Sequence, residues 1–399
     1  MNDKDRDELM LKSILEGGEA VLGPEIVQFD ITNRCNNDCI CCWNNSPLLE
    51  EPTPEKKKNN ECELPFGIIK RAIFELKEMG TKTLFLAGGG EPFMHPDVIE
   101  ILKCAKENGM KVCLNTNFAL VDRASAKEIV DAKVDLIHVS LLAGTPETYA
   151  LVHPNKSRET FLKIKETLAY LLQYRREKKQ ETPVPLPHID LYYVIFNKNY
   201  GDIGKMADLA MELRTNTLEF TPVDVLPGTT DVLLLNEAQK AFVLREVKMQ
   251  HKRIEEFNKR EGSKVTFIEQ YDSFLKRLSP KEATQGRYET RIVLNQPCYV
   301  GWSFLRILAD GSVIPCLKAH RIPSGNLYQH SIKDIWNNEA QQLFRKKSLA
   351  LDSEDPYFKM IGNDPSASFG CINSCDNIQV NIDMHNKFAD LLRSHGRIK

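Results

Sequence analysis

Strand-like and helix-like segments alternate along the first half of this chain, and that alternation limits the possible folds most strongly. Apolar, β-rich segments are separated by amphipathic stretches, several of which end at a glycine. The six strand-like segments are residues 26–32, 82–87, 111–116, 134–142, 188–196 and 217–223. Strands that alternate with helices form parallel sheets joined by right-handed crossovers. The sequence therefore predicts an α/β fold with a parallel sheet.

Unusual residues come directly after these strands. A group of cysteines follows the first strand, and Gly88–Pro92 follows the second. Asn115 and Asn117 lie at the end of the third strand, and Ser140 lies near the end of the fourth. Parallel sheets bind ligands at the carboxyl ends of their strands. We therefore expect one site, at one edge of one sheet.

Composition excludes several classes of partner. The formal net charge is −2, from 53 basic and 55 acidic residues, so no strong field attracts a polyanion and nucleic acid is not expected. No apolar run is long enough to cross a membrane, and the charged first residues lack a secretory signal. Seven of the eleven cysteines fall into two groups, which indicates metal or redox chemistry in a cytoplasmic protein rather than disulfides.

The first cysteine group is Cys35-x3-Cys39-x2-Cys42. Three thiolates can hold three irons of a [4Fe–4S] cluster, whereas full protein ligation takes four. The fourth iron is then open to a cofactor or substrate. A structural zinc site is the alternative, but it needs a fourth ligand, and the nearest histidine is His95. Cys41, inside the motif, could compete as a ligand.

The motif resembles the radical SAM superfamily. The resemblance rests on the three cysteines after the first strand and on Gly88-Gly89-Gly90-Glu91-Pro92 after the second. It covers about residues 24–225, which would form the family's partial (β/α)6 TIM-like barrel. It implies that the open iron chelates S-adenosylmethionine, that reductive cleavage gives a 5′-deoxyadenosyl radical, and that this radical takes a hydrogen atom from a substrate. A reductant such as flavodoxin or ferredoxin is also implied.

The same resemblance suggests cofactor contacts. Gly88–Pro92 would hold the methionine part, because glycines allow close backbone approach and a carboxylate can accept from the amino group. Ser140 matches a ribose-contacting position. Asn115 lies where the family often has Thr-Asn-Gly, although Phe118 replaces that glycine. Thr221 belongs to the sixth-strand segment that borders adenine in the family.

One departure concerns adenine. The family usually has an aromatic residue before the third cysteine, and this chain has Cys41 there, with Trp43 just after Cys42. Either Trp43 takes over the adenine contact, or adenine is held differently.

A second cysteine group lies near the other end of the chain. Its members are Cys298, Cys316, Cys371 and Cys375. With the Asp310-Gly311 turn between the first two, it resembles the auxiliary-cluster module called SPASM, or its shorter form, Twitch. Four cysteines would ligate one further [4Fe–4S] cluster fully, which suits electron transfer. A zinc ribbon-like site is the alternative from ligand count alone.

These assignments divide the chain into five segments. They are a leader helix (1–23), the barrel (24–226), a helical linker or excursion (227–290), the auxiliary-cluster domain (291–384) and a C-terminal tail (385–399). Residues that could move a proton or a hydrogen atom are His95, His153, Asp224, His320 and Cys113, and the sequence favours none of them.

The resulting prediction is a radical SAM oxidoreductase. Its substrate is expected to be a small metabolite, a carbohydrate-type alcohol or an amine, because only about 23 residues precede the barrel and an added peptide-binding domain is larger. A peptide- or protein-modifying maturase is the alternative within the class. A non-catalytic zinc-binding interaction protein is the alternative outside it.

Overall fold

One ten-stranded sheet organises the chain. The computed structural model describes residues 3–50, 54–178, 185–262, 266–288, 293, 295–352, 354–362, 371, 375 and 377–396. The strands are β1 (Ile26–Phe29), β2 (Thr83–Leu86), β3 (Lys111–Thr116), β4 (Leu136–Ser140), β5 (His188–Ile195), β6 (Thr217–Pro222), β7 (Phe267–Glu269), β8 (Phe304–Ile307), β9 (Ser312–Ile314) and β10 (Gly325–Asn326). Their order is β10-β9-β8-β1-β2-β3-β4-β5-β6-β7.

Helices follow most of the parallel strands. In chain order they are α1 (Asp3–Glu16), α2 (Pro54–Asn60), α3 (Phe66–Glu78), α4 (Val98–Glu107), α5 (Arg123–Asp131), α6 (Pro146–Val152), α7 (Arg158–Glu177), α8 (Ile203–Leu213), α9 (Glu237–Arg260), α10 (Tyr271–Leu278), α11 (Ile332–Trp336), α12 (Glu339–Ala350) and α13 (Ile378–Ser394). No helix within the described ranges is both long and apolar enough to span a bilayer.

The two faces of the sheet differ in chemistry. On one face, apolar side chains are fully buried; they include Val27, Leu84, Leu114, Ile137, Leu191 and Leu218. The pairing register puts the intervening residues together on the opposite face, which we call the polar face; it carries Gln28, Asn115, His138, Ser140, Asp190, Tyr192, Glu219, Thr221 and Arg306. Side chains alternate along a strand, so one face builds the core and the other is left for a site.

The sheet is longer than the six predicted strands. β7 lies within 227–290, the segment predicted as a linker, and pairs in parallel with β6. β8 comes from the C-terminal module and pairs in parallel with β1, with Ile26 opposite Phe304 and Phe29 opposite Ile307. The hairpin predicted around Asp310-Gly311 is present as β8 and β9. The C-terminal module is therefore continuous with the barrel sheet.

The leader also packs on that module. The indole nitrogen of Trp336 donates to the Leu22 carbonyl at 2.7 Å, and the buried Arg345 guanidinium donates to the Gly18 carbonyl at 2.9 Å. Of the predicted boundaries, the one at 290/291 lies outside the described residues, and the one after 384 falls inside α13.

Candidate active site

The first cysteine group lies in the loop after β1. Its fold is fixed by a hydrogen bond from the Cys42 amide to the Cys39 carbonyl at 2.9 Å. Backbone amides also point at sulfur: Asn37 N–H donates to Cys35 Sγ at 3.4 Å, and Asn45 N–H donates to Cys42 Sγ at 3.3 Å. Amides directed at sulfur stabilise thiolates, which is the form that binds metal.

Burial opposes that charge when the thiols are alone. It raises the pKa of Cys35 to about 11, and the Glu91 and Cys42 charges add to the rise. Burial also lifts the pKa of Cys39 well above its usual value, with contributions from Cys41, Cys42 and Cys35. Several thiolates can share this site only if a strong positive charge joins them, and metal ions supply that charge.

Cys41 lies inside the motif and is coupled to Cys39 and Cys42. Burial raises its pKa to about 12, and Cys42 is the one other sulfur that contributes. Its side chain packs against the hydrophobic core. The Cys39 side chain packs against the same core, so burial does not separate Cys41 from the assigned ligands. The choice of Cys35, Cys39 and Cys42 as the ligand set rests on the family spacing and stays a prediction.

The spacing of the sulfurs indicates the kind of metal centre. Among the described residues, which include all the cysteines assigned as ligands, no three cysteine sulfurs lie within 4.8 Å of one another. A tetrahedral zinc ion with Zn–S bonds of about 2.3 Å would hold its sulfurs about 3.8 Å apart. Within the described residues, neither cysteine set therefore has the sulfur spacing of a single bound zinc ion.

The glycine triplet lies against the segment that leads into the cysteine loop. A Cβ on Gly88, whose φ is +125°, would lie 1.9 Å from the Asp30 side chain. A Cβ on Gly90 would lie 2.2 Å from the Arg34 carbonyl oxygen, which also accepts from the Glu91 amide at 2.8 Å. Only glycine permits this approach. The contact joins the predicted cluster loop to the predicted methionine-binding turn.

Glu91 itself is buried and already bonded within the chain. Its carboxylate accepts from Thr116 Oγ1 at 2.6 Å, from the Asn117 amide at 2.7 Å and from the Phe93 amide at 3.1 Å. Burial raises its pKa to about 7, although these bonds oppose the shift. Glu91 therefore ties the turn after β2, including the buried Pro92, to the end of β3.

The remaining predicted contacts come together at one edge of the polar face. Asn115 is in register with His138, two residues before Ser140, and the Asn115 Oδ1 atom is buried without a hydrogen-bond partner. Thr221 accepts from Arg277 at 3.2 Å. Phe118, which stands where the family has glycine, adopts φ +61°, so it keeps the left-handed backbone that glycine favours. Their roles as cofactor contacts stay predictions.

Trp43 faces the C-terminal module. Its ring stacks on His320 with centroids 5.5 Å apart, and the Arg306 guanidinium lies 5.9 Å from it. The Trp43 side chain is 43% exposed, so one surface remains open. Its assignment to adenine stays a prediction.

Arg306 connects the two cysteine sets. From β8 it forms a buried ion pair with Asp30, at 2.6 Å between Nη2 and Oδ2, and donates to the Leu317 carbonyl at 2.7 Å. Asp30 touches the turn at Gly88, and Leu317 follows Cys316. A buried bidentate pair of this kind fixes geometry, because breaking it would leave a charge uncompensated.

The second cysteine set lines one cavity in the C-terminal module. Cys298, Cys316, Cys371 and Cys375 share it with apolar side chains that include Val300, Phe344, Phe358 and Ile361. Burial raises the pKa of Cys298 to about 11 and that of Cys316 to about 12. Four convergent thiols in an apolar cavity fit a fully ligated iron–sulfur cluster.

A titratable cluster on the polar face was not found from the sequence. His138 Nδ1 lies 2.7 Å from Asp190 Oδ2, and Thr217 Oγ1 donates to Asp190 Oδ1 at 2.7 Å. Ligating atoms of His138, Asp190 and Glu219 all lie within 4.8 Å of one another. The sequence signal that could have revealed this cluster is one polar residue, placed between apolar ones, in each of three strands.

The predicted acid–base candidates have other surroundings. His95 bonds the Leu64 carbonyl at 2.8 Å, and His153 bonds the Tyr149 carbonyl at 2.9 Å; both are buried. Asp224 pairs with Lys318, His320 stacks on Trp43, and Cys113 is buried on β3.

Comparison with known proteins decides the family. A model of the radical SAM superfamily matches residues 29–210, and a model of the SPASM iron–sulfur cluster-binding domain matches residues 298–357. The chain belongs to the radical SAM superfamily. Its predicted family, fold class and two [4Fe–4S] clusters with S-adenosylmethionine are thereby confirmed. This radical SAM protein is an enzyme, so the zinc-binding interaction protein is not retained.

Its relatives act on different molecules. It is 21% identical to a tungsten-containing aldehyde ferredoxin oxidoreductase cofactor-modifying protein of Pyrococcus furiosus, over 79% of this chain and 82% of that protein. It is 24% identical to the AdoMet-dependent heme synthase of Methanosarcina barkeri (81% and 84%) and to the PqqA peptide cyclase of Rhizobium meliloti (79% and 74%).

Solved structures share the fold. Streptococcus suis SuiB bound to S-adenosylmethionine superposes with a TM-score of 0.59 at 13% identity, covering 86% of this chain and 72% of SuiB. Native anSMEcpe with bound AdoMet gives 0.58 at 15% identity, covering 94% and 100%.

Proposed function

We propose that this radical SAM enzyme oxidises a small polar substrate, a carbohydrate-type alcohol or an amine, held against the polar face of the sheet. The observation that carries the proposal is the His138–Asp190–Glu219 cluster. On β4, His138 lies two residues before Ser140 on the same face, about 7 Å deeper. A substrate that contacts this cluster would lie beneath the edge where the predicted cofactor residues meet.

Cys35, Cys39 and Cys42 would hold the first cluster, and Cys298, Cys316, Cys371 and Cys375 the second. When bound, S-adenosylmethionine and the first cluster supply a 5′-deoxyadenosyl radical that removes one hydrogen atom, and the auxiliary cluster supplies an acceptor for one electron. A two-electron oxidation then leaves one proton, which the protein must accept.

Glu219 is suited to accept that proton. Its pKa is raised to about 7, mainly by burial and also by the Asp190 and Glu269 charges, while His138 and Arg277 oppose the rise. Burial alone would lower the pKa of His138, but the Asp190 carboxylate gives a net rise. The Asp190 carboxylate therefore favours the protonated form of His138, while Glu219 can exist in either protonation state near neutral pH.

A peptide or protein substrate is the second candidate. Among the relatives is a PqqA peptide cyclase, and the SuiB fold has been solved bound to the precursor peptide SuiA. The anSMEcpe fold has likewise been solved with the Cp18Cys peptide. For electron supply, flavodoxin or ferredoxin would serve. The cytoplasm, where thiols stay reduced, suits the eleven cysteines of this chain.

Deuterium transfer tests the substrate class. Anaerobically purified enzyme is incubated with dithionite, S-adenosylmethionine and a perdeuterated cell extract that ultrafiltration has separated into small-molecule and macromolecular fractions. We expect deuterium in 5′-deoxyadenosine from the small-molecule fraction. Transfer only from the macromolecular fraction would establish the peptide or protein alternative, and no transfer from either would overturn the proposed oxidation.

Glu219→Gln tests the proton acceptor. With the identified substrate, we expect product formed per 5′-deoxyadenosine to fall by about 10²-fold, because the amide cannot take the proton. The activity of the wild-type enzyme should rise as the pH increases through about 7, where the Glu219 carboxylate ionises. The Glu219→Gln variant should lose this pH dependence. Glu269→Gln, which removes the neighbouring carboxylate, is the matched control and should keep it. An unaltered pH profile in Glu219→Gln would assign the proton elsewhere.

A further inference from the structure

A buried lysine lies beside the auxiliary-cluster cavity. Lys318 is 8% exposed and follows Cys316 by two residues. Its ammonium donates to Asp224 Oδ2 at 2.6 Å, from the segment just after β6. A buried ammonium costs several kcal/mol unless it is paired, so this position for a lysine calls for an explanation.

The two partners of this pair differ in their surroundings. The Lys318 side chain is 9% exposed and lines the cavity with the four cysteines, whereas the Asp224 side chain is 30% exposed and is not part of the lining. Water screens the carboxylate more than the ammonium. The net field of the pair inside the cavity is therefore positive.

Arg306 is another cation near this cavity. It makes three hydrogen bonds to the carboxylate of Asp30, which is almost fully buried, and donates to the Leu317 carbonyl. Its charge is therefore opposed by a carboxylate that water hardly screens, whereas the carboxylate that pairs with Lys318 is partly exposed.

We infer that Lys318 sets the reduction potential of the auxiliary cluster, by holding a positive charge at the wall of its cavity. Reduction adds one negative charge to the cluster, and a nearby cation in a poorly hydrated cavity stabilises the reduced form. The cluster then becomes a better electron acceptor. This deepens the proposed function, in which the same cluster accepts an electron during substrate oxidation.

If Lys318 only held the C-terminal module against the barrel, a different result would be expected. Loss of either partner would then loosen the interface, and both variants would shift the cluster in the same way. A charge effect instead gives opposite signs for the two partners. Lys318→Gln removes the positive charge, whereas Asp224→Asn removes the negative charge that partly cancels it.

The experiment is a potentiometric titration of full-length protein, followed by electron paramagnetic resonance, in a Cys42→Ala background that isolates the auxiliary signal. At a fixed solution potential, we expect Lys318→Gln to lower the ratio of reduced to oxidised cluster by about tenfold and Asp224→Asn to raise it. Lys318→Arg should restore the ratio. Lys347→Gln is the matched control, because Lys347 pairs with Asp355 in the same module and does not line the cavity.

Shifts of the same sign in both variants, or no shift in either, would overturn the inference. If Lys318→Gln fails to retain iron, the rise expected for Asp224→Asn still decides the matter. No substrate is needed for this titration. A failed search for the substrate therefore leaves the inference standing, and a failed titration leaves the proposed oxidation to its own test.

Discussion

Cys42→Ala is expected to abolish cleavage of S-adenosylmethionine and to lower the iron content from about eight to about four atoms per chain. Cys42 accepts backbone hydrogen bonds from Asn44 at 3.4 Å and Asn45 at 3.3 Å, so the loop is built around its sulfur. Without it, two cysteines remain in the set, and two thiolates cannot hold a [4Fe–4S] cluster with one open iron. The measurements are iron analysis and 5′-deoxyadenosine release by dithionite-reduced protein.

Cys41→Ala is the matched control, one residue away. Cys41 lies outside the spacing that the family uses for its three ligands, so we expect about eight irons and unaltered cleavage. The reverse result, with activity lost in Cys41→Ala and kept in Cys42→Ala, would exchange their roles. Retention of both clusters in Cys42→Ala would remove Cys42 from the ligand set.

The sequence was sufficient for features that are local or periodic. The six strands of the barrel have continuous apolar runs, and both cysteine groups stand out by spacing alone. The N-cap at Ser331, whose side chain accepts from the Asp334 amide, is another such local feature. Such features depend on neighbours within a few residues, which a reader of the sequence can see.

Pairings between strands that are distant in sequence could not be predicted from local patterns. β7 has three residues, too few for a periodic pattern. β8 pairs with β1, so Gln28 and Arg306 are neighbours in the sheet although the whole barrel lies between them in sequence. Asp30, the buried ion partner of Arg306, gave no local signal because its role depends on that strand pairing. Nothing local in the sequence indicates which distant strand a short strand will join.

The sequence predicted the parts of the candidate site that lie within one short motif. It did not predict the part that separate strands bring together. Three strands each contribute one member of the His138–Asp190–Glu219 cluster, and 81 residues separate the first from the last. Glu91 shows the converse case. Its position in the motif suggested a ligand contact, whereas its carboxylate accepts three hydrogen bonds from the chain itself.

Gly90→Ala carries the second large expected effect, this time on stability. The new Cβ would lie 2.2 Å from the Arg34 carbonyl oxygen and 2.6 Å from the Asn33 carbonyl carbon. Both are backbone atoms of the segment that enters the cysteine loop, so no side-chain rotation relieves the clash. Overpacking of this kind costs about 3 kcal/mol or more, because the backbone itself must move.

Gly67→Ala provides the matched control, since nothing lies within 4 Å of its added Cβ and the residue is in α3. There, alanine should leave stability unchanged or raise it by up to about 1 kcal/mol. Anaerobic guanidinium unfolding, followed by circular dichroism, should give a lower midpoint for Gly90→Ala alone. Iron analysis should show loss from the first cluster, because moving Arg34 displaces Cys35. A midpoint equal to that of Gly67→Ala would show that the turn and the cysteine loop are not packed as closely as we describe.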